Sequence, residues 1–272
     1  MKPRATFKTR LAIVALAALA PLAAHAHRQW LLPSSTVLSG NDTWVTVDAA
    51  ASNDLFYLDH NPLRVDNLTI TAPDGNAVKP ENGAAGRYRY TFDVHLTQPG
   101  TYRMAVVNQG LFASYKLDGQ TKRWRGTAES FGKDVPAGAQ DLQVTQAESR
   151  VETFVTSGKP GGKALAPSGR GLEMVPVTHP NDLVAGEPSS FRLLLDGKPA
   201  ANLKVDVVPG GNRYRDKLQD FSVTTDADGK FSVKWPSPGM YWMEAQVEDG
   251  KAAKPAQKRR ASYSATLEVL PQ

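Results

Sequence analysis

From residue 27 onward, apolar and polar positions alternate in short runs. In "TWVTVDA" (43–49), "YRYTFDV" (88–94), "TYRMAVV" (101–107) and "FSVKW" (231–235), every second residue is apolar. This is the period of a strand with one face buried. "LTITAP", "LKVDVV", "FSVTT" and "YSATLEV" are equally rich in β-branched and aromatic residues, and Asp, Gly, Pro and Asn separate the runs. Two stretches depart from the pattern. "QDLQVTQAESRVETFV" (140–155) fits a helix or a paired strand, and "RGTAESFGKDVP" (125–136) fits a short helical turn.

One pattern occurs twice. "FDVHLTQPGTYRM" runs from Phe92 to Met104 and "FSVKWPSPGMYWM" from Phe231 to Met243, sharing F-x-V and P-G-x-Y-x-M at the same spacing. Asp-Gly pairs, Asp74-Gly75 and Asp228-Gly229, precede them. Each copy reads as a strand, a Pro-Gly turn and a second strand whose Tyr and Met share a face. The expected architecture is all-β, with two tandem immunoglobulin-like or transthyretin-like β-sandwich modules. Residues 27–156 form the first module and 172–272 the second. The Gly-, Pro- and Ser-rich "SGKPGGKALAPSGRG" (157–171) is the expected linker.

The first 26 residues are of another kind. Lys2, Arg4, Lys8 and Arg10 precede an apolar run from Leu11 to Ala20, and Ala24-His25-Ala26 offers small residues where a signal peptidase cuts. A cleaved signal peptide (1–26) and a periplasmic product are expected, with no stable membrane insertion after cleavage. The formal net charge of +5 then falls to +1, because the signal holds four basic residues and no acid. The basic balance is a targeting feature, and nucleic acid is not an expected partner. The chain has no cysteine. It therefore forms no disulfide and can hold a metal only through nitrogen and oxygen.

Cutting between Ala26 and His27 would place a histidine at the new terminus. Its α-amine and Nδ1 can chelate one ion, and a second imidazole would complete a three-nitrogen set suited to copper or nickel. Cutting after Ala24 would instead give His-Ala-His, whose third-position histidine also suits Cu(II) or Ni(II). His60, in "DLFYLDHNPLRV", is the preferred second ligand, with Asp59 to orient it or co-ligate. His179, in "PVTHPND", is a further candidate beside the linker, with Glu173 and Asp182 as nearby oxygen donors. His95 aligns with Lys234 in the repeat and is expected on a solvated outer face. "TDADGKF" (225–231) resembles part of a calcium loop but reads as a hairpin turn. Hydrolase, nucleotide-binding and zinc-protease signatures are absent from the sequence, so no catalytic residue is assigned and the chain is read as not an enzyme.

"AHRQWLLPSS", "GLEMVPVTHPNDLVAGE", "LDGKPAANLKV", "TDADGKFSVKWPSPGMYWMEA" and "RRASYSATLEV" resemble the DUF4198 family over nearly the whole chain after residue 26. The resemblance implies a periplasmic component of a cobalt or nickel uptake system, with a membrane metal transporter as partner. Many members begin His-Asp-x-Trp-Leu after processing. Here His27, Trp30 and Leu31 match, and Arg28 replaces the acid. The expected function is capture of nickel, cobalt or copper for a transporter. The alternative is a non-catalytic scaffold or a glycan- or protein-binding module of the cell envelope, using the segments around Trp124 and Tyr214. A copper oxidase using the N-terminal histidine is a third reading.

Overall fold

The computed structural model describes residues 27–40 and 42–272, so the expected export signal (1–26) lies outside the described residues. The first part of the chain gives β1 (Arg28–Pro33), β2 (Val37–Leu38), β3 (Thr43–Ser52), β4 (Asn61–Pro62), β5 (Leu68–Thr71), β6 (Ala77–Val78), β7 (Glu81–Ala85) and β8 (Tyr90–Leu96). Two strands of eighteen residues follow, β9 (Gly100–Leu117) and β11 (Gln140–Ser157), separated by β10 (Gln120–Gly126) and the helix α1 (Ala128–Asp134). The remainder gives β12 (Leu172–Pro176), β13 (Pro188–Leu195), β14 (Lys198–Pro199), β15 (Lys204–Pro209), β16 (Phe221–Thr224), β17 (Lys230–Lys234), β18 (Gly239–Asp249) and β19 (Lys258–Val269).

These strands build three sheets. A ten-stranded sheet runs β16-β15-β18-β19-β11-β9-β5-β6, with β10 added on β9 and β2 on β11. A five-stranded sheet, β1-β3-β8-β7 with β4 on β3, covers one face of the β9/β11 half. Its Leu31, Val45, Val47, Phe92 and Val94 pack on Tyr102, Met104, Val106, Val151 and Val155. A four-stranded sheet of β12, β13, β14 and β17 covers the other face over β15, β18 and β19. There Phe191, Val233 and Trp235 meet Phe154, Tyr241, Met243 and Tyr263.

The fold is thus all-β, with two sandwiches sharing one sheet. They join where β11 and β19 run parallel, from Thr145↔Lys258 to Thr153↔Thr266. β11 serves both cores, Val151 and Val155 on one side and Phe154 on the other. Every residue from Arg150 to Ser157 is buried. A strand covered on both faces loses its two-residue period, which is why this stretch fits a helix equally well on paper. The 125–136 stretch does form a helix, capped reciprocally by Thr127 and Ser130.

The repeat is realised in matching detail. Gly100 and Gly239 open the second strand of each copy at φ 135° and 134°, a conformation that favours glycine. The Tyr102 hydroxyl accepts from Gln98 N at 2.9 Å and donates to Gln98 O at 3.2 Å. Tyr241 does the same with Ser237, at 3.3 and 2.8 Å. Each hydroxyl satisfies two backbone groups at the turn, as in the tyrosine corner of immunoglobulin-like domains.

The stretch 157–171 is pinned rather than free. Thr101 N donates to Gly161 O at 2.8 Å, and Lys163 N donates to Pro73 O at 2.7 Å. A Cβ on Gly162 would lie 2.6 Å from Pro73 O. Its glycines permit close backbone approach as well as turning.

Candidate metal centre

Residue 27 directly precedes β1, and residue 60 directly precedes β4. Both strands pair with the end of β3, Arg28 opposite Ser52 and Asn61 opposite Ala51. That register carries His27 one position past the end of β3 and sets His60 level with its last residue, from either side. Their rings stack face to face, with centroids 3.4 Å apart and planes 6° from parallel.

The surroundings are built from apolar anchors. Trp30 is buried and donates from Nε1 to Ser52 Oγ at 2.8 Å, fixing β1 on β3. Trp242 donates from Nε1 to Gln29 O at 2.9 Å, tying β1 to the second sandwich. Trp30, Ala50, Leu55, Val208 and Trp242 form a small core behind the histidines. Phe56 sits at φ 63° and meets Trp30 edge-on at 5.6 Å. Such a φ is rare for a bulky residue and is held here by packing. In the repeat, Trp242 stands where Arg103 stands in the first copy. That aromatic on an outward position was the sequence signal for this anchor.

Asp59 shapes the loop instead of touching the imidazole through a hydrogen bond. Its carboxylate accepts from Asn53 N at 3.0 Å and Asp54 N at 3.2 Å. It orders residues 53–59 and so delivers His60. Arg28 lies with its guanidinium 5.6 Å from the Trp242 ring and donates to Asn53 O at 3.4 Å.

His179 does not join this pair. Asn181 N–H donates to its Nδ1 at 3.2 Å, so that nitrogen carries no proton. Nε2–H then donates to Thr101 Oγ1 at 2.8 Å. Thr101 Oγ1 also accepts from Gly161 N and passes its own proton to Thr156 Oγ1, which donates to Asn181 Oδ1. With both nitrogens engaged, His179 ties the 177–181 loop to β9 and β11 and has no lone pair for an ion. Glu173, the nearby oxygen donor, is likewise committed to Ser168 and Gly169.

Burial holds the His179 imidazole below its ordinary pKa, against a smaller opposing pull from Asp182. A folded-state pKa below the unfolded one means stability that is full above the ordinary imidazole value near 6.5 and is lost as pH falls through the folded value. The urea midpoint of the protein should therefore drop below about pH 6.5 more than that of His179→Gln. Equal pH profiles would remove this role.

His95 stands on the outer face of β8, stacked on Trp44 at 4.2 Å and paired through Nε2 with Asp42. In "TDADGKF", Asp226 Oδ1 accepts from Asp228 N and Lys230 N, as a hairpin turn requires. Trp124 is anchored by Asp134 and Phe131. Tyr214 is 84% exposed and lies 6.3 Å from Tyr57, on the loop that carries His60.

Among the described residues, no group of three or more His, Cys, Asp or Glu forms a ready metal cage. The His27 and His60 ring nitrogens have no hydrogen-bond partner among the described residues, which leaves two imidazoles open to an ion. Faces in contact cannot both direct a lone pair at one ion, because the lone pair lies in the ring plane. Binding requires one ring to turn about its Cβ–Cγ bond, and a third nitrogen must come from outside the pair.

Among known proteins, the family model for DUF4198, described as a domain of unknown function, matches residues 24–249. A search of curated proteins finds no match. Among solved structures, the D0-D1 domain of intimin is 14% identical over 88% of this chain and 97% of its own, with a TM-score of 0.23. A marsupial T cell receptor is 9% identical over 90% of this chain and 74% of its own, with a TM-score of 0.21. Scores this low transfer nothing from either structure.

Proposed function

This chain belongs to the DUF4198 family, and from its own residues we propose that it is a periplasmic metal-binding protein that captures nickel, cobalt or copper and passes the ion to a membrane transporter. The observation that carries the reading is the contact between His27 and His60, 33 positions apart in sequence. In this reading export frees the amine of His27, which supplies the third nitrogen. The donors would then be that amine, a His27 ring nitrogen and a His60 ring nitrogen. An all-nitrogen set of this kind suits late first-row ions and not magnesium or calcium. Asp59 supports His60 through the loop, and the reading assigns no catalytic residue.

A calorimetric titration of Ni(II), Co(II) and Cu(II) tests this, using protein secreted and processed by the cell, with its terminus confirmed by mass. One ion per chain should bind more tightly than about 10 μM, roughly −7 kcal/mol. A methionine placed before His27 should weaken that site strongly. Absence of binding, or equal binding by the extended chain, would remove the proposal. The exposed Tyr214 beside Tyr57 favours a second reading, a non-catalytic scaffold that binds a glycan or protein of the cell envelope.

A further inference from the structure

The five-stranded sheet covers only part of the ten-stranded one. Beside β1, the face of β15, β18 and β19 that points away from the second core carries no covering sheet among the described residues. The corner between that face and β1 is a groove of about 1000 Å³, with His27 and Trp242 at one end and Phe112 among its lining.

Its chemistry is legible row by row. Gln246 lies opposite Ser262, and Ser262 opposite Ser149. One row on, Glu244 lies opposite Ser264. The charged positions largely cancel each other. Lys204 pairs with Asp206 at 2.6 Å, Lys258 pairs with Glu248 at 2.9 Å, and Arg260 lies 4.0 Å from Glu248. Arg125 is spent over the Phe112 ring at 5.1 Å. A groove whose ions are paired internally offers little net field to an anion or a cation. It offers hydroxyls and amides that donate and accept, together with an aromatic ring that is 41% exposed.

We propose that this groove binds a neutral oligosaccharide, with its hydroxyls on the row of Gln246, Ser262 and Ser149 and a sugar ring against the exposed part of Phe112. Neutral sugars present donors and acceptors at short intervals and an apolar C–H face, which is the complement of this surface. An extended peptide would instead look for a free strand edge, and the groove floor consists of paired strands. The site stands independently of the metal reading, although His27 borders both.

The test uses full-length processed protein and amide spectra titrated with cellohexaose, maltohexaose and chitohexaose, with an acidic hexagalacturonate as comparison. At least one neutral oligomer should bind with a Kd near or below about 1 mM, shifting the amides around Gln246 and Ser262. Phe112→Ala and, separately, Gln246→Ala should each weaken it about tenfold with unchanged circular dichroism. Repeating the titration on the methionine-extended, metal-free chain separates the two proposals, since oligosaccharide binding should persist there. Shifts located elsewhere, tighter binding of the acidic oligomer, or no binding by any neutral oligomer would overturn the inference.

Discussion

Arg150→Met is expected to lower the unfolding free energy by about 3–5 kcal/mol, the cost of leaving one member of a buried ion pair alone. The two side chains project from β11, with Arg150 Nη1 3.0 Å from Glu152 Oε1, and Glu152 is only 1% exposed. The second Glu152 oxygen accepts from the Tyr263 hydroxyl at 3.0 Å. Burial pushes that phenol far up, so it remains a donor. Arg150 Nη2 reaches Ser168 Oγ at 2.9 Å, and Ser168 in turn holds Glu173. Removing the guanidinium therefore leaves an unpaired buried carboxylate and loosens the 166–173 segment. Adding Glu152→Gln to the same chain should recover most of the loss, because Gln still accepts from Tyr263 without a charge to desolvate. Urea unfolding of both variants decides it. A single-variant loss below about 1 kcal/mol would mean water reaches the pair and screens it.

The second large effect concerns the histidine pair. In processed protein, His60→Ala should weaken the proposed metal site by about 100-fold, roughly 2.7 kcal/mol, by removing one of three nitrogen donors. His95→Ala is the control, since His95 sits on the outer face with Trp44 and Asp42. Calorimetry on both variants should separate them. Equal losses, or none in either, would show that the ion binds without His60.

Much of the fold can be read from local pattern. The KFSVK strand alternates exposed and buried along its whole length, as its letters do, and the two P-G-x-Y-x-M copies form the same turn with the same tyrosine bond. The joining of the sandwiches cannot be read this way. It depends on a parallel pairing between residues more than 100 positions apart, such as Val151↔Ser264, which leaves no periodic trace in either segment. The 157–171 stretch was legible in composition and not in consequence. Its glycines look like slack, yet Gly162 lies against Pro73, and Ser168 is held by Glu173 and Arg150.

The candidate site divides the same way. His27 and His60 stand out by residue type, and their meeting follows from the register of β1 and β4 on β3, which no single segment encodes. Asp59 and His179 were noticed for their chemistry, and each spends that chemistry on backbone or hydroxyl partners. A histidine between two prolines reads alike whether it faces an ion or a threonine.

The place of β19 bears on how the molecule comes into being. It is the last strand among the described residues, yet it sits between β18 and β11 in the shared sheet. Until residues 258–269 are available, two long strands have an open edge and the second core lacks Tyr263, Ala265 and Leu267. Contacts of such high sequence separation make the search slow, and open edges in the meantime invite pairing with other chains. The second sandwich therefore stays open until residues 258–269 arrive, while the first core, which holds no residue of that strand, can close earlier. For a polypeptide proposed to cross a membrane before it folds, that delay keeps its second half fit for passage.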